Sequence, residues 1–142
     1  MAARDLLGAE GPIAAAVDGF RPRSQQQEMA ARIEAFLKRA GDEGAPQRAL
    51  VCEAGTGTGK TFAYLTPILA AGKRAIISTA TKPLQAQLTL DDIPRIARAL
   101  NARPRVALLK GRSNYLCHQR LERALGEPRL SRDLQTQLHR VN

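Results

Sequence analysis

The chain has 142 residues, 44% hydrophobic and 25% charged, the make-up of one ordinary folded domain rather than a disordered tract. No run of about 18 apolar residues occurs, so no membrane-crossing helix is expected, and the broken apolar stretches at the N-terminus match no signal peptide. Lysine and arginine number 22 against 13 aspartates and glutamates, a net charge of +9. That excess suits a polyanion such as nucleic acid, with a merely solvated basic surface as the plain alternative. Two cysteines, Cys52 and Cys117, are too few for a disulfide framework, so a cytoplasmic location is expected.

In chain order, Ser24 with Gln27 reads as a capping box opening a helix. Met29, Ile33, Phe36, Leu37 and Ala40 share its apolar face, and Gly41 stops it. Gly41 to Pro46 forms a connecting loop. Ala49–Cys52 reads as a short buried strand, followed by a turn rich in Gly and Thr. A helix is expected from about Lys60 to Ala71, ended by Gly72 and bent or weakened by Pro67. Ala75–Ser78 is the next strand. Thr81 caps a helix with Pro83 in its first turn, and Asp92 caps another in which Ile93, Ile96, Ala97 and Leu100 share a face. Val106–Leu109 is a third strand, and Ser113–Asn142 reads as helical and basic, stopping without a terminator. Strands alternating with helices predict an α/β fold, a parallel sheet flanked by helices.

The strongest motif is Glu53-Ala54-Gly55-Thr56-Gly57-Thr58-Gly59-Lys60-Thr61, placed between an expected strand and an expected helix. Its glycines let the backbone wrap closely around phosphates, its N–H groups form an anion nest, and the helix head adds positive potential. Lys60 would bridge the β- and γ-phosphates of ATP, and the Thr61 hydroxyl would hold Mg²⁺. Ala54 stands where the strict pattern has glycine. A glycine-rich turn with an incidental lysine is the plain alternative. For Cys52, on the strand before the loop, a small buried hydrophobe is the expected role.

Three flanking blocks narrow the class: Phe20-Arg21-Pro22-Arg23-Ser24-Gln25-Gln26-Gln27-Glu28-Met29, Ile76-Ile77-Ser78-Thr79-Ala80-Thr81-Lys82-Pro83-Leu84-Gln85-Ala86-Gln87-Leu88, and Val106 through Cys117, ending in GRSNYLC. Over essentially its whole length the chain resembles the N-terminal part of DinG/YoaA-type ATP-dependent DNA helicases, relatives of XPD in superfamily 2. The resemblance implies a RecA-like first domain over 1–142, cut before the Walker B strand, with an iron–sulfur insertion beginning at 110–142. It assigns Arg23 and Gln26 to adenine recognition, and a carboxamide that donates and accepts at once suits that edge. The stretch from Ala54 to Thr61 matches motif I. Thr79, Thr81 and Lys82 match motif Ia, which touches the DNA backbone without reading bases. A strand end and a helix cap are their bland alternatives.

Cys117 matches the first of the four cysteines that hold a [4Fe–4S] cluster in that family. Such a cluster needs four thiolates, and this chain offers one in a matching place. His118 and His139 read as surface residues. The activity implied is 5′ to 3′ unwinding of single-stranded or forked DNA, in repair or replication, with no membrane partner. The family's Asp-Glu-Ala-His box does not occur, and Asp91-Asp92 reads as a helix cap rather than its replacement. The 142 residues are therefore expected to be a fragment that binds nucleotide weakly and neither hydrolyses ATP nor unwinds DNA, with unpaired strand edges where a later strand belongs. Two competitors remain: another P-loop NTPase, such as a kinase or transport ATPase, and a non-enzymatic basic remnant that binds nucleic acid by charge.

Overall fold

Two short helices that the sequence pattern did not announce begin the chain: α1 (Ala3–Leu6) and α2 (Pro12–Ala16). Asp5 lies in the first turn of α1, where its carboxylate accepts the Ala2 N–H at 3.3 Å. Pro12 opens α2, a place where its missing N–H costs nothing. The turn between them needs Gly11, because a Cβ there would run into the Asp5 and Leu6 carbonyls. Leu7 and Ile13 from this segment are 0% exposed, so the N-terminal segment contributes Ala3, Leu7, Ile13 and Val17 to the core. The computed structural model describes residues 1–39, 49–126, 133, 136 and 137. Ala40, the stop at Gly41, the loop to Pro46, His139 and part of the expected C-terminal helix lie outside the described residues.

Helix α3 (Ser24–Arg39) carries a buried face through Gln26 and Ala30, flanked by half-buried Met29, Ile33, Phe36 and Leu37. The expected capping box does not form. Ser24 lies in the first turn, its hydroxyl 3.5 Å from Gln25 Oε1, and the Gln27 amide reaches instead to the Leu7 carbonyl at 3.1 Å. That carbonyl closes α1 and has no donor from its own helix, so the glutamine satisfies a group that would otherwise be stranded in the core. Glu34 accepts the Ala3 N–H at 3.0 Å. Two α3 side chains thus tether α1.

Helix α4 (Lys60–Ala70) runs through Pro67 without a break. The ring lacks the N–H that would have reached the Ala63 carbonyl. Leu65, Thr66 and Pro67 are nevertheless fully buried, and packing against α3 outweighs one lost bond. Gly72, at φ +60, ends the helix as expected. Its N–H donates to Leu69 O and the Lys73 N–H to Ile68 O, the paired bonds of a left-handed stop.

Thr81 caps α5 (Lys82–Gln87) by accepting the Leu84 N–H at 3.4 Å. A five-residue π-turn, Leu88–Asp92, then leads into α6 (Ile93–Ala99). Pro94 has no N–H to give back to this turn, and the ladder slips by one residue, with Ile93 N–H donating to Leu88 O. Asp92 is therefore no cap: its backbone is helical and its side chain makes no capping bond. Ile93, Ile96 and Ala97 are buried as their spacing predicts. The core joins Leu7, Ile13, Ala30, Leu65, Leu88 and Ile96.

No strand forms among the described residues, and the expected parallel sheet is absent from them. Ala49–Cys52, Ala75–Ser78 and Val106–Leu109 run as irregular backbone, and Val51 is 90% exposed, Ile76 100% and Leu109 83%. A buried strand exists only through neighbours that take its N–H and C=O groups and cover both faces. Apolar composition marks the candidate but does not supply those neighbours. Cys52, expected inside, is half-buried.

Two units divide the chain, Met1–Leu108 and Leu109–Asn142. The second holds a tight turn at Arg112–Asn114 and helix α7 (His118–Leu125). The Lys110 N–H donates to the Tyr115 phenol at 2.8 Å, and Leu121 is the buried residue of α7. Among the described residues no helix is long and apolar enough to cross a membrane.

Candidate phosphate-binding site

The segment from Ala54 to Gly59 turns into the head of α4 through two left-handed glycines, Gly57 at φ +75 and Gly59 at φ +79. Those torsions are the reason for glycine there, since other L-residues adopt them only under strain. No atom lies within 4 Å of where a Cβ would stand at Gly55 or Gly57, so the loop backbone is open to a ligand. The Thr58 hydroxyl donates to Gly55 O at 2.9 Å and stiffens the turn. Lys60 folds its ammonium onto the Ala54 and Gly55 carbonyls, both at 2.8 Å. The cation thus sits over the mouth of the loop, with its partners exposed and replaceable by phosphate oxygens. Thr56 is exposed and Thr61 half-buried in the first turn of α4.

Gln26 reaches this loop from α3. It is 5% exposed, and its amide N–H donates to the Gly59 carbonyl at 3.0 Å. Gly59 is required twice over, because a Cβ would strike the Gln26 amide. The Gln26 Oε1 is buried without a partner, one of two such side-chain atoms among the described residues, with Thr66 Oγ1. An orphaned acceptor beside a phosphate loop fits an adenine amino group, whereas the donor half of the amide is already engaged. Arg23 is exposed at the start of α3. Open backbone, a cation, left-handed glycines and the orphaned acceptor together fit a nucleoside polyphosphate.

The other expected site residues divide. The Thr79 hydroxyl donates to Thr81 O at 3.4 Å, the Thr81 hydroxyl caps α5, and Lys82 is exposed. Both threonines thus do local structural work. Cys117 is exposed at the head of α7, and His118 is exposed beside it. No group of three or more His, Cys, Asp or Glu side chains able to hold a metal occurs among the described residues. The donor set present does not fit a four-thiolate cluster.

Tyr64 escaped the sequence reading, and Asp92 entered it only as an expected helix cap. Tyr64, one turn after Thr61, has its phenol pushed up chiefly by burial and also by the Asp92 charge, while a hydrogen bond with Thr61 opposes this. Asp92 is 4% exposed and accepts from Gln87 Nε2 at 3.0 Å. Burial raises its carboxyl above the usual range, and the Gln87 bond works the other way.

A loop with these torsions, closed by Gly-Lys-Thr at a helix head, defines a P-loop nucleotide-binding protein. Residues 25–126 match the DEAD/DEAH box helicase model, and the chain belongs to that family. It is 50% identical over 118 residues to the ATP-dependent DNA helicase YoaA of Escherichia coli K12, covering 83% of this chain and 18% of that protein. The protein of the same name from Haemophilus influenzae is 46% identical over 123 residues, 87% of this chain and 18% of its own length. The ATP-dependent helicase DinG of Mycobacterium tuberculosis is 42% identical over 119 residues, 78% of this chain and 17% of that protein. The chain thus spans less than a fifth of the curated relatives it matches. No solved structure matches it.

Proposed function

We propose that this chain is the nucleotide-gripping segment of an ATP-dependent DNA helicase. The observation that carries the reading is the open loop from Ala54 to Gly59, with Lys60 poised on replaceable carbonyls and Gln26 braced on Gly59. ATP would enter with its phosphates on the loop backbone and Lys60, its Mg²⁺ on the Thr61 hydroxyl and its adenine toward Gln26 and Arg23. The cation supplies charge neutralisation along the phosphates. This chain's residues bind and orient; the 142 residues contain no Asp-Glu-Ala-His box to activate water.

DNA is the proposed polyanion, supported by the +9 charge and the exposed Lys82. Thr79 and Thr81 would join Lys82 on its backbone. We further read the segments 49–52, 75–78 and 106–109 as strands of a RecA-like parallel sheet that pair within a longer polypeptide, in a cytoplasmic protein unwinding single-stranded or forked DNA 5′ to 3′. Cys117 would there give one of four cluster thiolates, a reading supported by the GRSNYLC block and by nothing in the geometry.

The test compares wild type with Lys60→Ala in a fluorescent ATP-analogue titration and a salt-titrated DNA-binding assay. Loss of nucleotide binding with DNA binding retained is expected. A wild type that binds DNA and no nucleotide would support the charge-only remnant instead.

A further inference from the structure

Aromatic side chains are few in this chain: three phenylalanines, two tyrosines and no tryptophan. Four of the five are half-buried. Phe20 and Phe62 lie 5.8 Å apart, centroid to centroid, and pack with Tyr64 on the core, while Phe36 sits on the inner side of α3. Tyr115 is the exception, at 51% exposed. It is nonetheless held in place. The Lys110 N–H donates to its phenol oxygen at 2.8 Å, and its own N–H donates to Arg112 O at 3.2 Å. Asn114 closes the same turn on Gly111 O, through its backbone N–H at 2.9 Å and its side-chain amide at 3.2 Å. An aromatic residue is thus fixed at the surface by a turn that does not bury it.

The charge around it has one sign. From Lys110 to Gly126 stand Lys110, Arg112, Arg120 and Arg123 against a single acid, Glu122. Among the described residues no ion pair engages any of the four cations. Free cations beside an ordered ring match a strand that offers both phosphates and unpaired bases. We propose that Tyr115 is a stacking platform for one base of single-stranded DNA, with Lys110 and Arg112 on the neighbouring phosphates. This deepens the DNA reading given above and rests on it. Within a duplex each base face is already covered by its neighbours, so the ring contact selects the single strand while the cations serve either form. The ring is fixed before the strand arrives, which leaves little ordering cost to binding. The contact needs neither the phosphate loop nor a thiolate at Cys117.

The experiment measures anisotropy of a fluorescein-labelled oligothymidylate titrated with the 142-residue chain, over a series of salt concentrations, and its displacement by relaxed circular duplex DNA. Tyr115→Phe and Tyr115→Leu both lose the phenol bond to the Lys110 N–H and differ in whether a ring remains, so comparing them separates stacking from the integrity of the turn. Tyr115→Phe is expected to stay within about twofold of wild type on the single strand, and Tyr115→Leu to bind it about tenfold more weakly, the worth of one base–aromatic stack. Duplex affinity and the salt slope should be the same in both variants. Arg112→Ala is expected to weaken single strand and duplex alike and to lower the salt slope by about one. Equal single-strand affinities of the Phe and Leu variants overturn the platform and leave the DNA reading standing. A Leu variant that loses single strand and duplex equally overturns it as well. A wild type that binds neither form overturns the DNA reading and this inference with it.

Discussion

Replacing Gly59 by alanine tests the contact between α3 and the phosphate loop. Gly59 sits at φ +79, and a Cβ there would meet the Gln26 amide. The torsion alone costs a non-glycine residue about 1 kcal/mol. Displacing Gln26 breaks its bond to the Gly59 carbonyl and strands a buried amide, about 2 kcal/mol more. Gly59→Ala is therefore expected to destabilise the chain by about 3 kcal/mol in total. In a Gln26→Ala background the steric partner is gone, the torsional part remains, and the same substitution should cost about 1 kcal/mol. The resulting coupling of about 2 kcal/mol lies well above the few tenths expected of independent sites. Urea unfolding of the four chains, followed by far-ultraviolet circular dichroism, measures it. Equal costs of Gly59→Ala in both backgrounds would refute the bracing of the loop by Gln26.

Two carboxylates should respond to pH with opposite sign. Burial raises the Asp92 carboxyl, so the folded chain holds that proton more tightly than the unfolded one. Stability is then lost as pH climbs from the ordinary carboxylate value through the raised one. Asp92→Asn keeps an oxygen for Gln87 and carries no charge. It should exceed wild type in urea midpoint at neutral pH and lose that advantage in acid. The Glu34 carboxyl is held low, first by the Ala3 N–H and then by Lys38. Its contribution is present above the ordinary carboxylate value and disappears as pH falls through the lowered one. Glu34→Gln should cost up to about 1 kcal/mol at neutral pH and nothing in strong acid, and a constant deficit across the pH series would count against the reading.

Local chemistry was legible in the sequence because it needs few partners. Left-handed torsions at Gly57, Gly59 and Gly72 belong to glycine wherever the chain turns sharply, and Thr81 caps α5 with its own hydroxyl. The α6 face follows from spacing alone, and so does the placement of Lys60 at a helix head. What depends on distant partners was not legible. Gln27 looked like half of a capping box, yet a buried Leu7 carbonyl twenty residues away claimed it. Asp92 looked like a cap, yet the helical backbone runs on through it as a π-turn and its side chain lies in the interior. The N-terminal segment looked nondescript, and its Leu7 and Ile13 became fully buried. Most of all, Ala49–Cys52, Ala75–Ser78 and Val106–Leu109 had the apolar composition of strands and formed none among the described residues. A helix closes its hydrogen bonds within itself, so sequence can specify it locally; a strand borrows every one of its bonds from a neighbour, and only the assembled tertiary structure decides whether that neighbour is there.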